Sequence, residues 1–234
     1  MSIAFLTITS CKKGGVFCYK ADNDIVTDNR ELTDFTKIDL GLNASVFVEQ
    51  GDVFNVAVET SKNLLDIIET TVSENTLKID LKKGKCIKNN FDIIIHITMP
   101  TLRNVAISGS GNLYVLKSFT TTELDISVSG SGNIEMDSLT VQQLNTSISG
   151  SGKLFLRGED TVETHSIKIS GSGKAKTIGL PTTNSNITVS GSGNCDVYAI
   201  ENLDVIISGS GNIKYKGDPT ITQAISGSGT IKPY

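Results

Sequence analysis

Along most of the chain apolar and polar residues alternate with a period of two, the pattern of half-buried β-strands. Around residue 130 the alternation is unbroken for thirteen positions. Leu124, Ile126, Val128, Gly130, Gly132, Ile134 and Met136 fall on one face, and Asp125, Ser127, Ser129, Ser131, Asn133 and Glu135 on the other. The first face is apolar and predicts an interior wall.

The pattern recurs. Ser-Gly-Ser-Gly occurs seven times, beginning at Ser108, Ser129, Ser149, Ser170, Ser190, Ser208 and Ser226, with spacings of 21, 20, 21, 20, 18 and 18 residues. Each copy follows an apolar residue and precedes Asn, Lys or Thr and a second apolar residue. A period near 20 marks a solenoid. At ~3.3 Å per residue one repeat makes a perimeter of roughly 66 Å less its corners, and seven coils stacked ~4.8 Å apart make a prism about 30 Å long. Two Gly per unit and β-branched neighbours disfavour a helical repeat. The prediction is an all-β, right-handed parallel β-helix over residues 104–234. Within the motif two geometries stand level: an extended run with both Gly facing inward against a close neighbour, or a tight bend at positive φ.

Residues 32–103 lack the motif but read as strands at Phe35–Leu40, Ser45–Gln50, Phe54–Glu59, Thr76–Leu81 and Phe91–Thr98, with a short helix or turn-rich connection over Ser61–Thr71. This β-rich portion is expected to cap the N-terminal end, because an open coil exposes apolar surface and strand edges. No comparable cap follows the seventh motif; Pro233 or a partner would have to blunt that end.

At the N-terminus, Ile3–Ile8 is a short apolar run ending in Ile8-Thr9-Ser10-Cys11, which resembles a lipoprotein signal with Cys11 as the acylated residue. A basic segment is missing ahead of the run, as a start placed too late would produce. On this reading residues 1–10 are a signal remnant and residues 11–31 a tether, with Lys12, Lys13, Gly14 and Gly15 supplying flexibility. Cys195 occupies an inward apolar position and is expected as a buried thiol. Cys86 lies in the Lys-rich loop Lys82–Lys88 and Cys18 in the expected tether. With no CxxC pair, the cysteines suggest neither a metal site nor a redox centre.

Composition then removes functions. Fourteen of the 22 Gly lie in the motif, so the excess reports architecture rather than disorder. Residues 1–103 carry 12 basic and 14 acidic residues and residues 104–234 carry 9 and 11, which leaves no basic footprint for nucleic acid. The motif lacks the third Gly of a dinucleotide fingerprint and the Lys of a phosphate loop. No cofactor is implied. His96 and His165 have no ligand spacing and read as structural or exposed.

Aligning the coils gives columns. Asn104, Asp125, Asn145, Ser166, Asn186, Asp204 and Thr222 form a polar ladder. Its two carboxylates stand four coils, ~19 Å, apart, against the roughly 5–9.5 Å of a glycosidase pair. Tyr114, Glu135, Phe155, Lys176, Asp196, Lys214 and Lys232 form a second column, in which Lys176, Asp196 and Lys214 read as an exposed ion-pair ladder. Neither column offers catalytic or metal-binding residues. The remaining candidate is the outward face of the motif, flat if the chain stays extended: Ser108, Ser110 and Asn112; Ser129, Ser131 and Asn133; Ser149 and Ser151; Ser190, Ser192 and Asn194; Ser208, Ser210 and Asn212. Lys153, Lys174 and Thr230 interrupt its Asn column. With no Trp for sugar stacking, such a face implies weak, repetitive contact with a protein or glycan.

Phe35-Thr-Lys-Ile38, the turn Glu49-Gln-Gly51, Thr76-Leu-Lys-Ile79, Met99-Pro-Thr-Leu102 and the reiterated Ile/Val-Ser-Gly-Ser-Gly-Asn together resemble the putative auto-transporter adhesin head GIN domain family of Bacteroidetes-type bacteria, over about residues 32–232. The resemblance implies a β-sheet portion running into a right-handed β-helix at the cell surface or in the periplasm, and carries no catalytic residues. The expected function is a non-enzymatic envelope protein, an adhesin or surface-binding scaffold, held at the outer membrane only through a lipid anchor. The competing readings are a polysaccharide-active β-helix enzyme and a purely structural envelope protein.

Overall fold

A computed structural model describes residues 17–88 and 91–234. Cys11 and the signal-like run lie outside the described residues. The described chain is nearly all β, with one short helix, Lys62–Leu65, and winds into a β-solenoid of about six turns.

The repeats stack in parallel and in register. Asn104 pairs with Asp125, Asp125 with Asn145, and the column continues through Ser166, Asn186 and Asp204 to Thr222. The unequal spacings are absorbed away from the motif, at register shifts such as Val115/Ser118 and Thr177/Pro181. The corner bearing Ser-Gly-Ser-Gly thus keeps constant geometry while the far side takes up the length differences.

Inside, Ile107, Val128, Ile148, Ile169, Val189 and Ile207 precede the first six motifs, and Leu113, Ile134, Leu154, Ala175, Cys195 and Ile213 follow them; all are buried. Each large side chain removed from water contributes ~1.5–3 kcal/mol. Cys195 is the expected buried thiol, its pKa raised by burial and then by the Asp196 charge.

Both geometries proposed for the motif are present, one at each Gly. From the second copy onward the first Gly bends the chain at positive φ, +128° at Gly150. The second faces the interior so closely that a Cβ on Gly132 would stand 2.6 Å from the Gly111 carbonyl oxygen and 2.6 Å from Ile107 Cγ2. One Gly is needed for its dihedral and the other for its missing side chain.

The N-terminal portion contributes coils of its own. Lys37–Leu40 pairs in parallel with Asn104–Ile107 on one side and with Thr76–Leu81 on the other. Ser45–Gln50 pairs in parallel with Asn112–Gly130 and with Ile94–Met99. Gly41-Leu-Asn-Ala44 therefore occupies the place of a motif corner, with Ser108 N donating to Leu40 O at 3.0 Å and Asn112 N to Ala44 O at 2.8 Å. Antiparallel strands close this end: Asn55–Ser61 covers Ile94–Met99, Ile25–Arg30 covers Asn55–Ser61, and Ile68–Ser73 covers Thr76–Leu81. The outer strand Ile25–Arg30 carries Asp28 and Arg30, charges that discourage further strand addition.

Two expectations change here. The tether expected over residues 11–31 is, from Phe17, strand: Phe17–Lys20 and Ile25–Arg30 both pair. The cysteines read as unrelated include a disulfide, Cys18–Cys86, with Cα atoms 4.3 Å apart and 68 residues of separation. The corner after Thr76–Leu81 is expanded into a long loop that carries Lys85–Lys88 alongside Phe17–Lys20, so folding joins two cysteines that no sequence spacing relates.

The opposite end is open. Thr220–Gly227 is exposed along its whole length, and Ile221 and Ile225, stacked on buried Leu203 and Ile207, remain 36% and 39% exposed. Among the described residues no strand pairs with the outer edge of this coil.

Candidate functional site

The candidate surface is built on the motif corner. From the second copy onward the first Ser lies in a strand and pairs with its equivalent, Ser129 with Ser149 and Ser190 with Ser208. The second Ser lies at the bend, where its amide continues the ladder: Ser131 N donates to Gly109 O at 3.1 Å, Ser151 N to Gly130 O at 2.8 Å and Ser192 N to Gly171 O at 2.8 Å. Because the chain turns between them, the two Ser columns straddle a ridge. The flat face anticipated from an extended motif is replaced by a convex one.

Ser108, Ser110, Ser129, Ser131, Ser149, Ser151, Ser190, Ser192, Ser208 and Ser210 are all exposed, and their hydroxyls have no hydrogen-bond partner among the described residues. The Asn column beside them is partly self-satisfied. Asn133 Nδ2 donates to Asn112 Oδ1 at 2.7 Å, Asn212 Nδ2 to Asn194 Oδ1 at 3.3 Å, and Thr230 Oγ1 to Asn212 Oδ1 at 2.7 Å. Lys153 and Lys174 divide this ladder into two halves. The amides therefore stiffen the ridge, while the hydroxyls are the groups left to meet a ligand.

On the strands before the motif, Asn145 Nδ2 donates to Asp125 Oδ1 at 2.9 Å, in keeping with a bonded polar ladder. Asp125, Ser127, Asn145, Ser147, Ser166 and Lys168 line an open groove of ~340 Å³ there. Among the described residues no cluster of three His, Cys, Asp or Glu side chains is arranged to hold a metal ion.

Residues 34–219 match the family described as "Putative auto-transporter adhesin, head GIN domain". The chain belongs to this family. A crystal structure of a putative adhesin from Bacteroides fragilis is similar to this head GIN domain with a TM-score of 0.87 at 30% identity, covering 92% of this chain and 100% of that one. A structure titled as a putative lipid binding protein from Parabacteroides distasonis aligns with a TM-score of 0.79 at 27% identity, over 93% of this chain and 100% of that one. A putative adhesin from the same species shares the fold, with a TM-score of 0.76 at 24% identity over 92% and 99%. Among curated proteins none matches this chain. Family and relatives are those of a cell-envelope or surface protein named for adhesion, and no helix among the described residues is long and apolar enough to cross a membrane.

Beyond the motif, the head GIN domain carries an aromatic stack that its sequence does not advertise. Phe47 stacks on His96 at 5.5 Å and on Tyr114 at 5.1 Å, with interplanar angles of 19° and 21°. The register explains it, since Phe47 pairs with both residues across neighbouring coils. The Phe47 ring has both faces covered, which withholds them from a sugar. Further along the column the ion-pair ladder read from Lys176, Asp196 and Lys214 is absent from the ion pairs among the described residues. Lys176 instead stands 5.5 Å from the Phe155 ring centre and Lys214 5.6 Å from that of Tyr234.

His165 is fully buried, with Nε2 3.0 Å from Thr146 Oγ1. Burial lowers its pKa to about 3, so the ring is neutral at physiological pH. Its Nδ1 and the hydroxyl of Ser185, the next residue in its column, have no partner among the described residues. His165 is sealed inside the prism and faces no ligand. Its parity with Ile167 and Ile169 was the available signal of burial.

Proposed function

We propose that this head GIN domain is a non-enzymatic adhesin of the cell envelope, lipid-anchored through Cys11 at the outer membrane, that contacts a protein or glycan through its Ser ridge. The observation that carries the reading is the pair of unpartnered hydroxyl columns along one corner of a rigid prism. Stacked coils repeat each hydroxyl every ~4.8 Å. Single hydrogen bonds exposed to water contribute little, ~0.5–1.5 kcal/mol each, so such a ridge works by repetition along an extended polar partner. No cofactor and no nucleic acid enter this reading.

The Cys18–Cys86 disulfide supports export, because such bonds persist in oxidising compartments and are rare in a reducing cytosol. The names of the related structures, adhesins and a lipid-binding protein, agree with an envelope role.

Binding of the chain to panels of glycans and matrix proteins, with and without Ser131→Lys and Ser151→Lys, tests the adhesive role. Both positions are exposed, so the double variant should keep the melting temperature of the parent. Loss of adhesion with the fold intact is expected; unchanged adhesion would remove the ridge as the contact surface.

A further inference from the structure

The disulfide-linked flap concentrates positive charge on a protein of net charge −4. Phe17–Lys20 and Lys85–Lys88 form a separate two-stranded parallel sheet in which Lys20 lies opposite Lys88 and Cys18 opposite Cys86. The turn ahead of the second strand adds Lys82 and Lys83. Lys20, Lys82, Lys83 and Lys88 are exposed and form no ion pair among the described residues. Lys85 is held by Tyr19, with Nζ 3.1 Å from the phenol oxygen. Two acids follow Lys20 in the chain and offset it in part: the Asp22 carboxylate accepts from the Ser61 hydroxyl, and Asp24 faces Lys62 at 3.9 Å. Lys82 borders a groove that also holds Asp66 and Glu69, so its charge is partly offset. Lys20, Lys83 and Lys88 carry the patch.

Chain length sets where this patch can go. Five residues lie between Cys11 and Phe17, six steps of chain that reach at most ~22 Å. If Cys11 bears the anchor, the flap is confined to that distance from the bilayer, and Lys12 and Lys13 stand between them in the chain. The disulfide fixes both flap strands together, so the lysines of residues 82–88 are held close to the membrane with Lys20.

We propose that this flap is a membrane-docking surface, whose lysines rest on the anionic headgroups of the bilayer that holds the Cys11 lipid. The proposal rests on the anchored reading given above. Lysines near an anionic surface each strengthen binding by about fivefold, and the attraction fades over ~8 Å at physiological ionic strength. Docking would set the capped end of the solenoid on the membrane and direct the open end away from it.

The test is partition of the full chain carrying Cys11→Ala into vesicles containing 30 mol% phosphatidylglycerol, against vesicles of phosphatidylcholine alone. The expected result is preference for the anionic vesicles, suppressed in 0.5 M salt and reduced about a hundredfold by Lys20→Gln, Lys83→Gln and Lys88→Gln together. The three side chains are exposed and form no ion pair among the described residues, so an intact disulfide and an unchanged circular dichroism spectrum should confirm that the variant folds. Equal partition of parent and variant overturns the proposal. So does retention on a polyanion column without partition into anionic vesicles, which points to a polyanionic polymer instead. Acyl labelling separates the two readings: charge-dependent partition without a label on wild-type Cys11 supports docking and removes the anchor, whereas a label without charge-dependent partition removes docking alone.

Discussion

Replacing Gly150 by Ala tests the close stacking of the corner. Gly150 has φ of +128°, and an added Cβ would stand 2.5 Å from the Gly130 carbonyl oxygen. That oxygen cannot easily retreat, because it accepts a hydrogen bond from Ser151 N at 2.8 Å. The backbone conformation costs ~1–3 kcal/mol for a residue with a side chain, and overpacking adds ~1–3 kcal/mol. Two controls separate the terms. Gly84 shares a positive φ, +76°, but a Cβ there meets nothing within 4 Å, so Gly84→Ala should cost ~1–2 kcal/mol. Gly132 has the close contacts without the positive φ, so Gly132→Ala should cost ~1–3 kcal/mol. For a chain of this size about 2–4 °C of melting temperature accompanies each kcal/mol. Gly150→Ala should then melt roughly 4–24 °C below the parent and Gly84→Ala about 2–8 °C below, read by far-ultraviolet circular dichroism. If Gly150→Ala melts no lower than Gly84→Ala, the corner is not held by close backbone stacking and the reasoning fails.

Acid should weaken the fold through His165. Its folded pKa of about 3 lies below the unfolded value of ~6.5, so as pH falls below 6.5 the unfolded chain takes up a proton that the folded chain refuses. The contribution is lost at ~1.4 kcal/mol per pH unit, or about 3 kcal/mol by pH 4.5; urea denaturation of His165→Val should lack that share of the slope, and an identical slope would contradict the burial. Alkylation of the Cys11→Ala chain should leave the native oxidised protein unlabelled, mark Cys18 and Cys86 after reduction, and reach Cys195 only on unfolding; early labelling of Cys195 would contradict its burial. Reduction should also lower the denaturation midpoint, since closing a 68-residue separation is worth about 4 kcal/mol by loop entropy, and an unmoved midpoint would mean that the flap adds nothing to the fold.

The coils from Ser108 onward were legible because each repeats two glycines at one corner, one for its dihedral and one for its absent side chain. The earlier coils were hidden because their corners solve the same problem differently. Leu42 and Ala44 stand where Gly109 and Gly111 would, and the next corner is a loop that leads into Lys85–Lys88. Without the motif, Lys37–Leu40 and Ser45–Gln50 read only as strands, and their parallel partners, Asn104–Ile107 and Asn112–Gly130, follow 67 residues later in the chain. The disulfide was invisible for the same reason. In the candidate contact face, the Ser columns lie on the outside, where alternation places them. The bend between them was not fixed by alternation, because a chain can turn sharply at Gly while keeping inward and outward parity. The Phe47, His96 and Tyr114 stack needed the register of coils whose existence the sequence concealed.

The central claim is that the solenoid is exported and held to the envelope by its N-terminal end. Metabolic labelling with an alkyne fatty acid, in cells producing the wild type or Cys11→Ala, tests it directly. The wild type should carry acyl label and stay with the membrane in 0.5 M salt, and the variant should do neither. A wild-type protein without label, or a Cys11→Ala protein that keeps it, would contradict the account.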